Sequence, residues 1–261
     1  MDIFSTGTHL FLIVVAVFFW KLRFFPSNSL AANHKPRLVW LAFMLACAVA
    51  MYFVLEKWSS PSVRGDDGEV SSYLIFSLTW IALIQSAFAF FGISIRDDVA
   101  ERRNLPAGYA AAGLTSAATC CVAGANIGDG PGFEVVLFCA VLATGYLLAL
   151  WFVVAKVSGL ADAITIERAL GPGIRTGGWF AGTGVVIGAC VAGDWISVAA
   201  TLRDFVRYAW PLAIFAYAFG LFERSVSRPL PASRPSAATS IGAATAMILA
   251  GAICARWIGR H

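Results

Sequence analysis

Three sets of polar residues interrupt an otherwise apolar chain, and each suggests its own chemistry. The first is Gly124-Ala125-Asn126-Ile127-Gly128-Asp129-Gly130-Pro131-Gly132. Glycines there can turn backbone N–H groups toward an anion. A nucleotide-binding loop also needs its Lys and Ser/Thr, and the stretch has neither. Asn126, Asp129 and Glu134 offer three oxygen ligands to a cation, fewer than the roughly six to eight that calcium takes. The competing reading is a tight turn with Asn126 closing a helix. The second set is the pair Asp129 and Asp194, each at or just past the end of an apolar run. Ionisable groups at such places mark ion or proton pathways, or else sit solvated at headgroup level. The third set is two charged stretches: Asp97, Asp98, Glu101, Arg102, Arg103 and Asn104, then Asp162, Glu167, Arg168 and Arg175. They suit docking of a cytosolic partner, gating of an inner mouth, or simple anchoring at the membrane surface.

Catalytic chemistry has little to work with. The histidines are His9, His34 and His261, none with a partner at helical spacing, so a haem with paired axial ligands is not expected. Ser86 and Ser116 lack a visible base, and no acid–base constellation forms. All six cysteines lie in apolar runs without a CxxC pair, where cysteine behaves as a small hydrophobe. The expectation is a protein with no cofactor, no metal and no enzymatic activity.

The elements that position these residues follow from composition. The 261 residues are 59% hydrophobic and 13% charged, with mean hydropathy +0.76. Soluble chains carry about 25% charged residues. A spanning helix needs about 20 apolar residues, and eight runs qualify: 9–25, 38–55, 72–95, 107–126, 133–155, 176–195, 206–223 and 238–257. The fold class is therefore all-α, a polytopic helix bundle forming one integral membrane domain over 1–261, with the lipid bilayer as its first partner. The seventh run is the shortest of the later ones. A Pro/Ser-rich linker, 225–236, precedes the last. No gap holds a folded catalytic domain, and no concentrated basic face invites nucleic acid. The first run lacks a basic leader and is expected to be retained. Of nineteen Lys and Arg, Lys57, Arg64, Arg203, Arg207, Arg256 and Arg260 fall on one side and thirteen on the other. The positive-inside rule puts the thirteen in the cytoplasm, with both termini outside.

The middle of the chain repeats itself. Glu101-Arg102 returns as Glu167-Arg168, Pro106 as Pro172, and Val122-Ala123-Gly124 as Val191-Ala192-Gly193. Two copies of a two-helix unit, 72–130 and 133–200, account for this. The fourth and sixth spans are densest in glycine and alanine, which allow close helix approach. They are expected at the centre, with the bulkier first, second, third and fifth spans facing lipid. The stretches Arg96–Asn104, Gly124–Gly132, Thr165–Arg168 and Val191–Trp195 resemble bacterial membrane proteins of domain-of-unknown-function family 350. The resemblance covers roughly 72–224. It implies an inner-membrane protein of duplicated two-helix units and no established activity. The second copy departs from the pattern, with Ala169-Leu170 where Arg103-Asn104 stands.

Two functions remain open. One is a membrane scaffold or envelope-integrity component that acts through a membrane or cytosolic protein partner, docking at Asp97, Glu101, Arg102, Asn104, Glu167 and Arg168. The other is a small ion or proton channel or transporter using Asn126, Asp129, Glu134 and Asp194. The first is preferred, because the spans read as carrying no charged pathway. Oligomeric state is left open.

Overall fold

A computed structural model describes residues 35–130, 132–227 and 235–259. The expected first span, 9–25, the three histidines and most of the Pro/Ser-rich linker lie outside the described residues. The helices are α1 (Lys35–Trp58), α2 (Asp67–Phe88), α3 (Leu105–Ala125), α4 (Phe133–Ser158), the short α5 (Leu160–Thr165), α6 (Leu170–Val191), α7 (Val198–Ser227) and α8 (Ala237–Ile258). All but α5 are long and apolar enough to cross a membrane, which makes seven among the described residues. They fit a multi-pass membrane protein.

Local chemistry sets the helix starts. The Asp66 carboxylate accepts from the Gly68 and Glu69 N–H groups and opens α2. Asn104 Oδ1 accepts from Ala107 N and opens α3. Ser236 Oγ accepts from Thr239 N and opens α8. Each satisfies a donor that the first helical turn leaves unpaired. Between α2 and α3 the chain makes a 3-10 turn and then a π-helical segment, Ile95–Glu101.

The centre of the bundle is built from the smallest residues. In α6, 83% of the spanning window is buried and in α3 67%, against 28% in α1 and 17% in α8. The two glycine-dense spans are thus the buried ones. Along α3 and α6 the backbones touch: Gly113 and Gly124 have no room for a Cβ beside Gly177 and Gly188. Lipid gives helices no hydrophobic reason to associate, so close dispersion contact must hold them. Bulk returns beside this seam, where Phe88, Trp151, Trp179, Phe180 and Phe219 form an aromatic core, with Trp179 stacked on Phe219 at 5.6 Å.

The opposite face of α6 meets α8 in the same way. Pro106 lies against Gly173, Gly113 against Gly177 and Ala117 against Gly184. Adding 65 to the first number of each pair and 67 to the second gives Gly171 with Ser240, Gly178 with Ala244 and Gly182 with Gly251, all of which also touch. The residues preceding the three helices, Asn104, Ala169 and Ser236, keep those same intervals.

The third span, expected over 72–95, is the helix Asp67–Phe88, and two further elements differ from the sequence reading. The run expected over 206–223 as a short span is the longest described helix, 30 residues from Val198 to Ser227. The sixth span, expected over 176–195, is the helix Leu170–Val191. In both cases a charge that ended the apolar run proves to lie inside the helix.

Candidate functional site

The loops after α3 and α6 meet at one end of the bundle. Gly193 N donates to Ile127 O at 3.0 Å and Trp195 N to Asp129 O at 2.7 Å. Gly128 and Gly193 hold φ of +107° and +129°, a backbone region that suits glycine, and each precedes an aspartate. The Asp194 carboxylate accepts from Asp129 N at 2.8 Å, and Asp129 Oδ1 accepts from Ser60 Oγ at 2.8 Å. Asp129 and Asp194, 65 residues apart, therefore line one cleft of about 110 Å³ together with Asn126, Ser59, Thr201 and Asp204. Asn126 is buried, is the C-cap of α3, and donates its amide back to Val122 O at 2.8 Å. Glu134 sits exposed in the first turn of α4 and is not among the residues lining the cleft. Of the three residues that could offer oxygens to a cation, Asn126 and Asp129 line the cleft and Glu134 does not.

The two charged stretches meet at the other end. In each, a backbone N–H reaches back five residues, Arg102 N to Asp97 O at 2.9 Å and Glu167 N to Asp162 O at 3.1 Å. In each, the next residue is an exposed arginine with positive φ, Arg103 at +51° and Arg168 at +52°. In each, the following N–H then reaches back six, Asn104 N to Asp98 O and Ala169 N to Ala163 O. Asp97, Glu101 and Arg102 are exposed, with Glu101 3.4 Å from Arg96 and Arg102 3.3 Å from the buried Asp98. Asp98 Oδ2 also accepts from Ser94 N. Glu167 is exposed as well. Asn104, grouped in the sequence with these docking residues, is instead buried. Its amide donates to Ile164 O at 2.9 Å while its oxygen caps α3, so it joins α5 to α3 rather than facing a partner.

One polar cluster went unnoticed in the sequence. Arg175, placed there in a cytoplasmic loop, lies in the second turn of α6 at 2% exposure. It meets Glu223 of α7, at 0% exposure, in a two-pronged ion pair: Nε to Oε1 at 2.5 Å and Nη2 to Oε2 at 2.7 Å. Its Nη1 donates to Ser240 Oγ of α8 at 2.8 Å. Three helices are tied at one point, and the guanidinium spends these hydrogen bonds inside the bundle. Gln85 was missed too. It is buried on α2 and donates to Thr115 Oγ1 of α3 at 2.9 Å. A side-chain amide in a stretch otherwise of apolar and hydroxyl residues is the one signal that pointed to it.

No family model, no curated protein and no solved structure matches the chain.

Proposed function

We propose that the protein is an inner-membrane scaffold or envelope-integrity component that binds a cytosolic or membrane partner through its two charged loops. The observation that carries this reading is the backbone of Arg103 and Arg168. Left-handed φ costs a non-glycine residue about 1–2 kcal/mol, and glycine would sit there free of it. Keeping an exposed arginine at both places makes sense where the side chain itself is used. Around them stand Asp97, Glu101, Arg102 and Glu167, a surface of mixed sign that favours a partner with complementary charges. The sealed glycine seam between α3 and α6 argues against a water file along it. The matching loops, caps and helix contacts support a tandem of two-helix units, with α7 and α8 as a third copy beside the two read from the sequence. The resemblance to domain-of-unknown-function family 350 belongs to the same reading.

The test separates binding from folding. Arg103→Gly with Arg168→Gly is expected to keep or raise the unfolding temperature, while in-cell crosslinking from the loops loses its partner bands. Unchanged bands would sink the docking role. Purified protein in liposomes is expected to pass no ions or protons. Flux abolished by Asp129→Asn with Asp194→Asn would establish the channel instead.

A further inference from the structure

At the Asp129 end, α3, α6, α7 and α8 leave two apolar hollows on the outside of the bundle. One, of about 530 Å³, runs along Gly124, Val185, Gly188 and Ala189. The other, of about 680 Å³, runs along Val186, Pro211, Leu212, Cys254 and Trp257. The two share Arg207, Tyr208 and Ile258, so they are lobes that converge on one cation. Tyr208 packs edge-on against Trp257 at 6.1 Å, and Trp257 lies in the last turn of α8. Aromatic residues with a polar edge at a helix end mark headgroup depth.

The charges at this mouth are specific. Arg207 is exposed, its guanidinium is 5.6 Å from the Tyr208 ring, and it is in none of the ion pairs found among the described residues. Asp204, three residues earlier on α7, faces the same way and lines the first lobe with it. Its ion pair is with Arg203 at 3.9 Å, both side chains exposed, and such pairs are weak. Pro211 has no N–H to give to the Arg207 carbonyl, which leaves one more acceptor at the mouth.

We propose that the two lobes hold the two acyl chains of one diacyl phospholipid, with its phosphate on Arg207 and a headgroup ammonium on Asp204. One positive and one negative side chain three residues apart match a zwitterionic aminophospholipid. A purely anionic headgroup would set like charge against Asp204. The site is independent of the partner-docking loops, which lie at the opposite end.

Native mass spectrometry tests it, on protein extracted with mild detergent from vesicles holding equal phosphatidylethanolamine and phosphatidylglycerol of the same chains. One retained phosphatidylethanolamine per chain is expected. Arg207→Gln should lower occupancy about tenfold, the size of one charge-assisted hydrogen bond, and Arg207→Lys should restore most of it. Asp204→Asn should shift retention toward phosphatidylglycerol. Cys254→Trp fills one lobe with the charges intact and should also expel the lipid. Should Arg207→Gln fail to fold, the Cys254 variant decides. Equal retention of the two headgroups, no retained lipid in the unsubstituted protein, or occupancy unchanged by Cys254→Trp would overturn the proposal.

Discussion

Arg175 and Glu223 show what a single pair of side chains does here. Without Glu223, Arg175 would be a buried charge with no opposite charge in the bond set that holds it, which no helix bundle tolerates cheaply. Together they satisfy one another through two parallel hydrogen bonds, and Ser240 takes a third donor. Such pairs are poor sources of net stability, because desolvation offsets most of the attraction, but halves of them are costly. Glu223→Ala should therefore destabilise by about 3–5 kcal/mol in reversible unfolding in mixed micelles. The double change Arg175→Met with Glu223→Leu should recover most of that loss. A double variant as unstable as the single one would mean that the pair contributes net binding between α6, α7 and α8, rather than merely neutralising itself.

The helices themselves are held by an absence of side chains. A Cβ at Gly113 would run into the Gly177 backbone, whereas one at Gly145 on α4 would meet open space. Gly113→Ala should cost about 1–3 kcal/mol by overpacking, and Gly145→Ala should gain up to about 1 kcal/mol from helix propensity. Thermal unfolding of the two variants in one detergent checks both signs at once, and equal effects would refute the seam. This much was legible in the sequence: glycine density in the two spans named them as the buried centre, and Asp129 and Asp194 stood out at or just past the ends of apolar runs. What was not legible has a common cause. Apolar runs end at charges, so Arg175 closed one run and Arg203 and Asp204 shortened another, although all three lie inside helices. The partner that makes Arg175 tolerable is 48 residues away, and a local reading has no access to it. Asn104 misled in the opposite direction, since its charged neighbours suggested exposure while its amide is spent within the fold.

At the scale of the whole bundle, one contact geometry is used twice among the described residues and then stopped. The face of α3 that receives α6 carries Gly113 and Ala117, and the face of α6 that receives α8 carries Gly178 and Gly182. The same positions on α8 are Thr245 and Leu249, both exposed. A leucine there bars a further helix from backbone contact, so among the described residues the row ends at α8. A row of parallel inner helices also fixes polarity. α3, α6 and α8 all start at the Arg103 end and finish at the Asp129 end, and the positive-inside rule, applied to the thirteen-to-six division of Lys and Arg, predicts that the Arg103 end faces the cytoplasm. Single cysteines in a cysteine-free background make this measurable. Ser62→Cys, in the exposed loop before α2, should react with an impermeant maleimide on intact spheroplasts. Glu167→Cys should react only after permeabilisation. The reverse pattern would turn the molecule over, move the charged loops outside the cell, and leave a cytosolic partner unable to reach them.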